Sequence, residues 1–255
     1  MKFGMCGGFD AMRDARAAGF DYLELPVTGV AALTDAEFEQ RLAELTALGL
    51  PVPSCNVLFP GEIRLHDPSV TDDRITAYLE KAFARLQRLG TETVVFGSGG
   101  ARKRPEGVSY GDAFRRLVTV ARLVGDAAAK YGLTVVIEPL CRKETNMINS
   151  LAEGACLVAA ADHPRVKLLA DTYHITRDGE PMSDIGRVGG VSHVHVATKV
   201  NRRYPTVAEP ELAECFAQLK ATGYSGNVSV EGGSDDRLTD GPLALAVLKK
   251  LWEEA

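Results

Sequence analysis

The chain has 255 residues, 45% hydrophobic and 25% charged, an ordinary globular composition with enough apolar side chain for a large core. A formal net charge of −5 argues against a non-specific nucleic-acid or anionic-membrane surface. No run reaches the roughly eighteen consecutive apolar residues that span a bilayer, the opening MKFGMCGGFD lacks a signal-peptide apolar core, and five scattered cysteines without a Cys-x-x-Cys pair read as reduced thiols of a cytoplasmic protein.

Short β-like runs alternate with longer helical patterns along the chain, which predicts parallel strands joined by crossover helices. The first strand, Lys2–Cys6, precedes a helix over Asp10–Ala18, and Tyr22–Leu25 precedes one over Asp35–Leu48. Pro53–Val57 is followed by Asp72–Leu89, and Thr93–Gly97 by Tyr110–Tyr131. Thr134–Glu138 leads into Ser150–Ala161, and Lys167–Ala170 into a short helix near Met182–Val188. His193–Ala197 is followed by Glu209–Thr222, and Asn227–Glu231 by Pro242–Glu254. Thr34 with Glu37 three residues on is an N-terminal capping signal, and Gly19, Gly49, Gly90, Gly132 and Gly223 each stand just past a helical run. Eight such units without a Pro/Gly/Ser-rich linker predict one domain over 1–255, a single (β/α)₈ barrel. An open doubly wound sheet would show a G-x-G-x-x-G turn after its first strand, and Met5-Cys6-Gly7-Gly8-Phe9 lacks that spacing.

In such a barrel the reactive groups project from the C-terminal strand ends. The last four strands end in Ile137-Glu138-Pro139, Ala170-Asp171-Thr172, Val194-His195-Val196 and Val230-Glu231-Gly232. Three converging carboxylates cannot all stay ionised without a counter-charge, and few cations stand near them in sequence. One divalent ion on Glu138, Asp171, His195 and Glu231 would resolve the conflict, and a donor set of three carboxylates and an imidazole suits Mn²⁺, with Mg²⁺ or Co²⁺ as alternatives. Strand alternation puts His193 on the same face as His195, so the pattern leaves open which of the two is a core histidine.

At these residues the chain resembles the xylose-isomerase-like sugar isomerase/epimerase superfamily, and within it the D-tagatose 3-epimerase group of ketose 3-epimerases. The motifs that carry the resemblance are IEPLCRKE with Glu138, ADTYH with Asp171, HVHVA with His195 and VSVEGG with Glu231. The resemblance implies that these four residues bind a single divalent ion and that Glu138 and Glu231 are the catalytic acid and base. It also implies substrate contacts from Glu144, six residues after Glu138, from His174, three after Asp171, and from Arg202 in Asn201-Arg202-Arg203.

Two departures affect the substrate. One residue more separates His195 from Arg202 than in the epimerase pattern, which leaves open which arginine reaches the substrate. The segment Phe96-Gly97-Ser98-Gly99-Gly100-Ala101-Arg102 is atypical, and Arg102 could bind a carboxylate, a phosphate or a sugar hydroxyl, or simply be solvated. The early strand-end residues Glu24, Asn56 and Phe59 are expected to shape the far side of the pocket. The expected activity is epimerisation or isomerisation of a small sugar by proton transfer next to its carbonyl, through an enediolate. Elimination of the inosose dehydratase or C-glycoside-cleaving kind is the alternative, and a non-catalytic sugar-binding barrel is the reading from another class. Neither nucleic acid nor membrane is an expected partner, and a homo-oligomer is left open.

Overall fold

The computed structural model describes residues 1–255. The strands are β1 Lys2–Cys6, β2 Tyr22–Pro26, β3 Ser54–Asn56, β4 Thr93–Phe96, β5 Thr134–Ile137, β6 Val166–Asp171, β7 His193–Val196 and β8 Asn227–Val230. Each pairs in parallel with the next, and β8 pairs with β1, closing a (β/α)₈ barrel. The helices are α1 Met12–Ala18, α2 Val27–Ala32, α3 Asp35–Leu48, α4 Asp72–Arg88, α5 Gly99–Arg102, α6 Tyr110–Lys130, α7 Leu151–Ala161, α8 Thr172–Asp178, α9 Asp184–Arg187, α10 Pro210–Ala221 and α11 Arg237–Glu254. No helix is long and apolar enough to cross a membrane.

The start and stop signals act as their chemistry requires. Thr34 Oγ1 accepts from the Glu37 amide (3.2 Å) and Glu37 Oε2 accepts from the Thr34 amide (2.7 Å), a reciprocal cap at the start of α3. Gly19 and Gly49, at φ +86° and +59°, close α1 and α3 in the left-handed region that side chains disfavour.

The C-terminal helix differs from expectation. It begins at Arg237, five residues before Pro242, because the Asp236 carboxylate accepts from the Leu238 and Thr239 amides and supplies the cap. Three short helices, α2, α5 and α8, fall where no helix is legible in the sequence, since four to seven residues are too few to display a helical period.

Strand alternation sorts the core into two parts. Leu23, Leu25, Val94, Phe96, Val135, Ile137, Val194 and Val196 face outward into a continuous apolar cluster shared with the helices. Val95, Val136 and Leu169 touch one another but not that cluster, so they fill the barrel interior. Two residues further along the same inward rows stand Gly97, Glu138 and Asp171. The corresponding rows of the other strands end in Cys6, Glu24, Asn56, His195 and Glu231. The inner wall is therefore apolar on one side and increasingly polar towards the C-terminal mouth.

Glu180, after α8, accepts from the Leu151 amide at the start of α7 (3.0 Å), and burial raises its pKa to about 7. The folded protein then holds this proton more tightly than the unfolded chain, so the group's contribution is complete below its ordinary pKa and is lost as pH rises through about 7. We expect the loss of Tm between about pH 5 and pH 8 to be smaller in Glu180→Gln than in the parent, measured by thermal melts across that range.

Candidate functional site

Four side chains from four successive strands meet at the barrel mouth. One ligand atom each from Glu138, Asp171, His195 and Glu231 can be chosen so that all lie within 4.8 Å of one another. His195 Nδ1 lies 3.0 Å from Glu231 Oε2 and 3.3 Å from Glu138 Oε1. Asp171 is oriented by its own strand-to-helix turn: Oδ1 accepts from the Tyr173 and His174 amides at the start of α8 (2.7 and 3.3 Å). That cap leaves Oδ2 facing the cluster. Asn56 Nδ2 donates to Glu231 Oε1 (3.0 Å), and this leaves Oε2 for the centre.

Positive charge is supplied by Arg202. Its Nη2 donates to Glu231 Oε2 (2.7 Å) and Asp171 Oδ2 (3.1 Å), its Nη1 to Glu144 Oε1 (3.3 Å), and its guanidinium lies over the Tyr173 ring at 5.0 Å. His174 completes the group. The Cys141 amide donates to its Nδ1 (3.2 Å), so the ring hydrogen of the neutral imidazole sits on Nε2, which lies 3.3 Å from Arg202 Nη2 and 3.7 Å from Asp171 Oδ2. The arginine loop is itself constrained. Asn201 and Arg202 both adopt left-handed backbone, at φ +63° and +50°, and Gly232 packs so tightly against the Arg202 and Arg203 backbone that a Cβ there would come within 3.0 Å of it.

The two glutamates are driven apart. Burial, and then the charge of Glu231, raise Glu138 above the ordinary carboxylate value. Burial alone would raise Glu231 too, but His195 and then Arg202 outweigh it and bring Glu231 down to about 2. Burial and charge thereby bias one carboxyl towards its acid form and the other towards its ionised form. The cluster could hold one divalent cation. Its donors are three carboxylates and an imidazole, and the guanidinium already lying across two of them marks the demand for positive charge.

Glu144, His174 and Arg202 are thus brought together around the tetrad, and Arg202 rather than Arg203 faces it. Arg203 instead pairs outward with exposed Asp235. Arg102 corrects the sequence-based expectation. Its side chain is buried, only 1% exposed, and donates to the carbonyls of Phe96 (3.2 Å) and Ile148 (3.4 Å). It ties the end of β4 to the loop after β5 and is not available to a substrate group. His193 is not one of the four clustered donors; its Nε2 donates to Glu24 Oε2 (2.8 Å). Phe59, expected near the pocket, packs in an aromatic group with Tyr78 and Phe96.

Glu24 is the residue that sequence reasoning undervalued. It is fully buried and accepts from His193, His195 and Ser229, and the two histidines hold it well below the usual carboxylate range although burial opposes this. The signal was present in Tyr22-Leu23-Glu24-Leu25, a carboxylate on the inward row of an otherwise apolar strand.

Removing one partner of a buried ion pair leaves the other charge uncompensated, whereas exposed pairs contribute little. In metal-free protein, Arg202→Met should therefore lose about 2–3 kcal/mol of stability, discounted for partial exposure. Arg203→Met, one residue on, should lose less than about 1 kcal/mol. Urea unfolding of both variants after chelator treatment checks the contrast.

The family described as "Xylose isomerase-like TIM barrel" matches residues 12–251. The chain is 28% identical to an L-ribulose 3-epimerase of Methylomonas sp. over 98% of its own length and 87% of that protein's. It is 26% identical to a D-psicose 3-epimerase of Ruminiclostridium cellulolyticum, over 84% of this chain and 74% of the other. Its fold superposes on a D-allulose 3-epimerase of Methylomonas sp., solved in complex with D-allulose, at a TM-score of 0.86 and 21% identity, covering 98% of this chain and 96% of that one. The chain belongs to the xylose isomerase-like TIM barrel family.

Proposed function

We propose that the protein is a divalent-metal-dependent sugar epimerase or isomerase of the ketose 3-epimerase kind, moving a proton next to the carbonyl of a small unphosphorylated ketose. The observation that carries this reading is the convergence of Glu138, Asp171, His195 and Glu231 inside a ring of hydroxyl-binding groups from Glu144, His174 and Arg202. The names of the curated relatives, ketose 3-epimerases with isomerase-type chemistry, support it.

Glu138, Asp171, His195 and Glu231 would hold the ion, with Mn²⁺ the best match to the donor set and Mg²⁺ or Co²⁺ as alternatives. Bound there, a divalent ion supplies Lewis-acid stabilisation of the negative charge that develops when a proton leaves the carbon beside a carbonyl. The remaining steps belong to the chain. Glu231, held ionised, takes the proton as the C–H bond breaks, and the electron pair moves onto the carbonyl oxygen to form an enediolate. Glu138, whose burial favours the acid form, returns a proton to the same carbon from the other side and inverts it. Glu138 on β5 and Glu231 on β8 approach from strands three apart around the barrel, which suits them to opposite faces of one carbon. Arg202 and His174 donate to the substrate oxygens, and Glu144 accepts from a hydroxyl. Arg202 is the single guanidinium on the cluster, since Arg102 is committed to backbone carbonyls, and a phosphate dianion ordinarily calls for more cations than that.

The test is incubation of Mn²⁺-loaded protein with a panel of free ketoses in D₂O, reading solvent deuterium at the carbon beside the carbonyl. Exchange is expected, and Glu138→Gln and Glu231→Gln should each reduce it by about 10²-fold or more. Absence of exchange on every ketose would remove the epimerase reading in favour of elimination chemistry. Exchange confined to phosphorylated ketoses would remove the free-sugar part alone.

A positional prediction follows from β4. A Cβ on Gly97 would overlap Glu138 Oε2, whereas one on Gly100 meets nothing within 4 Å. Gly97→Ala should therefore cut turnover by about 10-fold or more, as expected when a catalytic group is shifted by about an ångström. Gly100→Ala should leave turnover unchanged, and steady-state assays of the pair separate displacement of Glu138 from general disturbance of the loop.

A further inference from the structure

Below the tetrad lies a second polar layer that the reaction itself does not use. Glu24 sits at its centre with an exposure of 0%. His195 Nε2 lies 2.8 Å from Oε1, while His193 Nε2 and Ser229 Oγ lie 2.8 and 2.5 Å from Oε2. Tyr22 Oη stands 2.7 Å from Ser229 Oγ and extends the chain of donors. The His193 ring meets the His195 ring edge-on, at 5.1 Å between centroids and 79° between planes. The His195 imidazole therefore has the His193 ring packed against it on this side.

An ionised carboxylate only accepts, so every group facing Glu24 must donate. The hydrogen of His195 on this side therefore sits on Nε2. In the neutral imidazole the Nδ1 lone pair is then aimed at the other side, where Glu138 Oε1 and Glu231 Oε2 lie 3.3 and 3.0 Å away. Nδ1 meets those oxygens favourably either as the second N–H donor of the imidazolium or, with a divalent ion among them, as a ligand through its lone pair.

We propose that Glu24 is a positioning residue for the metal centre: it selects the His195 tautomer that ligates through Nδ1, and its negative charge makes that nitrogen a stronger donor. The proposal rests on the metal-centre reading above and adds a residue from β2, on the far side of the barrel from the carboxylate ligands Glu138 and Asp171. Carboxylates that accept from a ligating imidazole act in this way generally, and their loss costs 10- to 100-fold in metal affinity. His193 and Ser229 hold the second oxygen of Glu24, which fixes the direction of the first.

The test uses Mn²⁺ titration calorimetry of metal-stripped parent and Glu24→Gln protein, with ¹⁵N long-range NMR of the histidines in the diamagnetic Zn²⁺-loaded form. Gln keeps the shape and one acceptor but has neither the charge nor the second acceptor. The expected results are a Kd for Mn²⁺ about 10- to 100-fold weaker in Glu24→Gln and, in the parent, the His195 hydrogen on Nε2 with Nδ1 ligating. Unchanged affinity in Glu24→Gln would overturn the proposal while the metal centre stands. So would a parent His195 carrying its hydrogen on Nδ1, a measurement that holds even if the variant does not fold. A parent protein that binds no divalent ion would instead overturn the metal-centre reading itself.

Discussion

Like charge gathered at the mouth of a closed barrel is the constraint on which the rest of this structure depends. Glu138, Asp171 and Glu231 bring three carboxylates within a few ångströms, with Asp171 almost wholly removed from water. Two unit charges 4 Å apart repel by about 4 kcal/mol at the effective dielectric of a protein site, so the three cannot persist as bare anions. The protein answers in three ways. Arg202 reaches across Asp171 and Glu231, His195 stands between Glu138 and Glu231, and Glu138 is pushed towards its protonated form. In the proposed reaction each answer would double as chemistry: a cation for substrate oxygens, an imidazole ligand, and a carboxylic acid able to give up a proton.

The scaffold holds this arrangement with local devices that are individually ordinary. The α8 cap spends one oxygen of Asp171 on backbone amides and thereby aims the other. Asn56 does the same for Glu231. Gly97 gives Glu138 room, and Gly232 lets the arginine loop lie against the end of β8. Behind the cluster, buried Arg102 ties β4 to the loop after β5, and burial lowers its pKa to about 10. It is the largest fully buried side chain in the protein, which places it in the support of the mouth and not in its lining.

The barrel interior also explains why the site has depth. Its inward rows run from Val95, Val136 and Leu169 to Gly97, Glu138 and Asp171 within two residues. On the opposite side Tyr22, Ser229, Glu24 and His193 replace aliphatic filling by a connected set of hydrogen bonds. Partly satisfied, such a network would be costly to bury, but here the Glu24 carboxylate takes three donors, so the layer is both closed and directional.

Much of this was written in local sequence. Eight alternating βα units pointed to a barrel over an open sheet, the cap at Thr34 and the glycines after helices punctuated it, and period-two alternation put Glu138, Asp171, His195 and Glu231 on inward rows at strand ends. These are short-range consequences of backbone geometry, so one sequence sufficed to read them. Other features depended on the stagger of a closed barrel and the course of its loops, which no local period encodes. Tertiary structure alone decided that His195 lies level with the carboxylates while His193 lies below them. It turned Arg202 inward and Arg203 outward, buried Arg102 against carbonyls, and set Glu24 from β2 against two histidines some 170 residues away in the chain. The physical reason is common to all four. A side chain's row follows from its own strand, but its partners follow from which strands the barrel brings opposite one another, and at what height.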